Sequence, residues 1–133
     1  MKISMLRFTL GFIGLVQLIL GGVFLFLPSV FISTMGLPVI PAWVSWMFAM
    51  FSARAIVFAY GMYLAMLHPE RHKGWIAAMI VVQAIDWLAT VYFLLQGTVT
   101  LPQVSTASFL PIIFIGVLVI YYPRQTPAAL SAS

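Results

Sequence analysis

Two opposite charges stand alone inside long apolar stretches: Arg54 and, thirty-two residues later, Asp86 within Gln83-Ala-Ile-Asp86-Trp87. A charge at the centre of a bilayer costs roughly 2.5–3.5 kcal/mol on insertion scales, and such a residue faces a partner or a cavity. Brought together, the two neutralise each other. They then serve either as polar glue between helices or as the polar floor of a site for a lipophilic molecule, with Arg54 as donor. Gln83 and Thr90 lie one helical turn to either side of the acid, Trp87 follows it directly, and Gln17 stands in an earlier apolar run. Phe58 and Phe93 join Trp87 as candidate walls.

Other chemistry finds little support. Cysteine is absent, which removes thiol and disulfide chemistry. No glycine-rich phosphate loop, catalytic Ser/His/Asp set or pair of carboxylates occurs, and the second acid, Glu70, differs from Asp86 in depth by most of a leaflet. His68 and His72 are four apart, but Pro69 interrupts them and no further ligand completes a metal set, so they read as part of a solvated or headgroup-facing turn. Met47, Met50, Met62, Met66 and Met79 are soft enough for copper. They fall on different helix faces and read as gap-filling core residues. No metal site and no catalytic residue is expected.

The elements that must position these groups follow from composition. Of 133 residues 64% are hydrophobic and 6% charged, against about 25% charged in soluble domains. Mean hydropathy is +1.15. This is the composition of an all-α, polytopic membrane protein, and connections of at most fourteen residues leave no room for a soluble domain. Four spans are expected, over residues 5–27, 42–67, 74–96 and 107–122, each near the ~20 residues a bilayer core requires. A tail at 125–133 reads as disordered. The first span has the basic start of a signal peptide, but its apolar run is too long and no small-x-small cleavage site follows, so it reads as a retained helix. Gly11, Gly14 and Gly21 share one of its faces and predict close helix packing there. The uncharged connection 28–41 reads as an interfacial loop or short helix. Trp43 and Trp46 read as interfacial anchors, Trp75 marks the entrance of the third span, and Pro111 lies near the first turn of the fourth, where its missing N–H costs least.

Lys2, Arg7, Arg71, Lys73 and Arg124 fall on one side of this four-helix antiparallel bundle and the two other connections carry none, which predicts both termini in the cytoplasm. The net charge of +4 is thus topology, not a nucleic-acid patch. Arg54 lies twelve residues into the second span and Asp86 twelve into the third, so each sits roughly 18 Å along its helix at 1.5 Å per residue. Antiparallel neighbours joined by a short turn bring both to one level, and Gln17 reaches the same depth. The expectation is a buried midplane cluster.

The run Gly14 to Pro28 (GLVQLILGGVFLFLP), Arg54 followed by Gly61, and the acid Asp86 together resemble small bacterial four-helix membrane proteins of the DoxX-like group. A fainter similarity links the chain to four-helix sterol-handling membrane proteins, which carry more than one intramembrane acid where this chain has only Asp86. The first resemblance implies a bacterial inner-membrane location and an accessory role beside oxidoreductase systems. The expected function is therefore a non-catalytic integral subunit whose partners are the lipid bilayer, other membrane subunits or a second copy. The alternative is a binding protein for a quinone, sterol, carotenoid or isoprenoid, and a small transporter or membrane enzyme ranks third.

Overall fold

The computed structural model describes residues 2–124, so the tail expected to be disordered lies outside the described residues. Five helices occur among them and no strand: α1 (Lys2–Phe26), α2 (Pro28–Thr34), α3 (Ala42–Leu67), α4 (Lys73–Leu95) and α5 (Ser105–Ile120). Helices α1, α3 and α4 are long and apolar enough to cross a membrane, whereas α5 is apolar but shorter, at 16 residues.

Proline and glycine set the boundaries. Pro28 ends the α1 run and opens α2, where its fixed φ suits a first helical position. Both α2 and α4 end in a Schellman motif. Gly36 and Gly97 adopt φ of 71° and 73°, a region that costs glycine nothing. Their N–H groups donate to Ser33 and Leu94, while those of Leu37 and Thr98 donate to Ile32 and Phe93. Pro69 follows the end of α3, and a tight turn at 68–72 leads into α4. Pro111 departs from expectation. Because α5 begins at Ser105, the proline is its seventh residue, inside the helix, and leaves the Ala107 carbonyl without a helical donor.

Helix α1 packs most extensively along α3, and α4 along α5. The α1 glycines make the first pairing close. A Cβ on Gly14 would lie 3.2 Å from Met62 Cβ, and one on Gly21 would lie 3.3 Å from the Ser52 carbonyl oxygen. The core sits in the half of the bundle nearest the 68–72 turn. It comprises Leu6, Leu10 and Ile13 of α1, Met62 and Ala65 of α3, Ile76 and Met79 of α4, and Phe114 and Leu118 of α5. At the other end Phe24, Phe31 and Phe48 tie α1, α2 and α3 together, with ring centroids 4.8–6.4 Å apart. Gln103, in the connection before α5, donates to the Gly36 carbonyl at 3.1 Å and links the two uncharged loops.

Candidate functional site

The α3–α4 seam holds the site. Although a short turn joins these helices, they pack far less extensively than α1 with α3. Near the turn they meet closely, because the Trp75 ring lies against Gly61 where a side chain would otherwise stand. Phe58 meets the same ring edge-on at 5.9 Å. Beyond Phe58 the main core cluster contributes nothing further to the seam, and Met47, Met50 and Phe51 of α3 are exposed, as is Phe93 of α4.

Arg54 and Asp86 bridge the seam at the point where the core ends. The Arg54 guanidinium donates through Nη2 to Asp86 Oδ2 at 2.6 Å, a short charge-assisted bond. The guanidinium also lies 5.5 Å from the Phe51 ring centroid, one helical turn earlier, within cation–π reach. The expected burial is corrected: the two side chains are 40% and 44% accessible. The cause is the packing pattern. With α1 committed to α3 and α4 to α5, the seam closes only where glycine admits Trp75, and nothing comparable stands beside the charges.

The expected polar cluster does not join into a network. Gln83 is buried and donates to Met79 Sδ, one turn back in its own helix, at 3.4 Å. Thr90 donates to the Asp86 backbone carbonyl at 2.8 Å and not to its carboxylate. Gln17 is half-buried in α1 and makes no side-chain hydrogen bond among the described residues. Trp87, read as a wall, turns to the other side of α4, where its indole N–H donates to the Ser108 carbonyl of α5 at 2.9 Å. That carbonyl adjoins the one orphaned by Pro111, so the tie holds α5 where its own ladder is interrupted. Phe58 packs on Trp75, and Phe93 meets Tyr92 edge-on at 5.3 Å.

Sequence reasoning missed the Trp75–Gly61 closure and the Arg54–Phe51 contact. The second carried a signal, since residues three apart on a helix are neighbours. The first carried only a weak one, because a tryptophan at a span entrance has the composition of an interfacial anchor.

The basic groups collect at the far end of the core. Arg7 of α1 donates to the Leu67 carbonyl at the end of α3, at 3.3 Å. Lys73 lies 3.6 Å from Glu70, and the Tyr122 hydroxyl donates to the Lys73 carbonyl at 3.4 Å. The N-terminal end of α1, the 68–72 turn and the segment after α5 thus share one pole. Concavities of about 360 and 400 Å³ open there, and neither is lined by Arg54 or Asp86.

Chemically, the seam offers one guanidinium and one carboxylate already engaged with each other. Among the described residues no three of His, Asp and Glu converge as a metal set. The pair can hold a helix register, or present a donor and an acceptor to something that approaches the open half of the seam. Comparison of the chain with protein-family models, with curated proteins and with solved structures returns no match in any of the three.

Proposed function

We propose that the chain is an integral membrane protein in which α1, α3, α4 and α5 cross the bilayer as an antiparallel four-span bundle. In this reading both termini lie in the cytoplasm of a bacterial cell, and the protein is a non-catalytic interaction subunit of an inner-membrane assembly. Orientation is supported by the pole that gathers Lys2, Arg7 and Arg124 with the 68–72 turn, opposite loops that carry no charge. The DoxX-like resemblance supports the accessory role.

One observation carries the interaction role: a half-accessible ion pair at mid-span, where the apolar core ends. Against hydrocarbon such charges are expensive, and a protein surface that covers them removes that cost. A second reading rests on the same accessibility. A quinone, sterol, carotenoid or isoprenoid could place its polar group against Arg54, with Met47, Met50 and Phe51 along its apolar body.

Mass spectrometry with an absorbance spectrum, on protein extracted in its native lipid, tests both. The interaction role predicts a defined assembly, of this chain with other polypeptides or with copies of itself, that Asp86→Asn disrupts. A stoichiometric lipophilic molecule on an isolated chain transfers the conclusion to the second reading. A bare monomer, unchanged by Asp86→Asn, overturns both.

A further inference from the structure

The basic pole holds more than a topology signal. A concavity of about 360 Å³ lies between three separate segments: the start of α1, the 68–72 turn and the residues after Ile120. This volume falls within the roughly 300–1,000 Å³ of small-molecule sites. Three cations line it, Lys2, Arg7 and Arg124, against one acid, Glu70, whose carboxylate is turned 3.6 Å from Lys73. Arg7 is held in place by its bond to the Leu67 carbonyl, and a guanidinium retains further donors after making one such contact. The lining is also apolar on one side, where Ile3, Leu6 and Ile120 continue the helix surfaces.

We propose that this concavity binds the headgroup of an anionic phospholipid, with the phosphate held by Lys2, Arg7 and Arg124. A free phosphate would use the cations alone. The adjoining Ile3, Leu6 and Ile120 suit the glycerol backbone and the start of an acyl chain, so the lining as a whole matches a lipid. Tyr121 and Tyr122 complete the wall at the level where amphipathic rings favour the bilayer boundary. The site rests on the membrane-spanning reading and is independent of the interaction role and of the Arg54–Asp86 pair.

A control is built into the same pole. Arg71 belongs to the turn but not to the lining of the concavity. Native mass spectrometry of the full chain, titrated with phosphatidylglycerol, phosphatidylcholine or inorganic phosphate, reads the site directly. The wild-type chain should retain one phosphatidylglycerol in preference to phosphatidylcholine, and phosphate should not compete. Arg124→Gln should lower that affinity about fivefold, while Arg71→Gln leaves it near the wild-type value. Equal retention of both lipids by the wild-type chain overturns the proposal without recourse to any variant. An equal loss in Arg71→Gln also overturns it, because diffuse attraction to the whole pole then suffices. Displacement of the lipid by inorganic phosphate overturns the lipid assignment.

Discussion

At the scale of single residues, Arg54 and Asp86 matter because either one alone is worse than neither. Each single replacement, Arg54→Gln or Asp86→Asn, strands a lone charge at mid-span, whereas the double variant leaves two neutral polar groups. Thermal unfolding in detergent micelles should therefore find the double variant more stable than the sum of the two single losses predicts. The coupling should lie toward the lower end of the roughly 0.5–3 kcal/mol seen for contacting residues, because both side chains are partly accessible. Strictly additive losses would show that the bond at 2.6 Å contributes no coupling. That these two residues meet was legible from counting, since two helices joined by a short turn place equal numbers of residues at equal depth. The surrounding cluster was not. Gln83 and Thr90 satisfy themselves within α4, and Trp87 finds a carbonyl on α5. Depth in the chain says nothing about which acceptor lies nearest a donor.

At the scale of helices, close approach is set by which glycines face a neighbour. Gly21 and Gly61 are faced by atoms that cannot yield cheaply: the Ser52 carbonyl and Ile56 in one case, the Trp75 ring in the other. Gly22 and Gly116 meet nothing within 4 Å. Gly21→Ala and Gly61→Ala should each destabilise the fold by about 1–3 kcal/mol, as overpacking does. Gly22→Ala and Gly116→Ala should be neutral or slightly stabilising, since alanine is the better helix former. Gly11 is the instructive intermediate. Its neighbour at 2.7 Å is the flexible Met66 thioether, which can swing aside, so its alanine variant should resemble the controls. Similar gains at all five positions would show that helix propensity, and not helix contact, governs. The glycine face of α1 was visible in the sequence as a stripe at helical spacing. The Gly61 contact was not, because it depends on Trp75 reaching across from another helix.

At the scale of the whole molecule, the chain has two unlike poles. One gathers the start of α1, the 68–72 turn and the segment after α5, with Lys2, Arg7 and Arg124 around a single concavity. The other holds the 35–41 and 96–104 connections, which contain no charged residue and are tied by the Gln103–Gly36 bond. This polarity was legible in the sequence because charge placement needs no side-chain geometry. The closing of only half the seam was not, because it depends on which helices pair most tightly. Translocating a loop that carries several cations is disfavoured, whereas an uncharged loop crosses freely, so the charged pole should remain in the cytoplasm. The absence of cysteine makes the orientation directly measurable. Val39, 98% exposed in the uncharged connection before α3, becomes a reporter as Val39→Cys. Glu70, exposed in the turn at the other pole, becomes its counterpart as Glu70→Cys. A membrane-impermeant maleimide added to cells whose cytoplasmic membrane is intact should label the first and not the second, and permeabilisation should expose both. Labelling of Glu70→Cys alone in intact cells would invert the orientation. Labelling of both would mean that the two connections share one side, which an antiparallel four-span bundle does not allow.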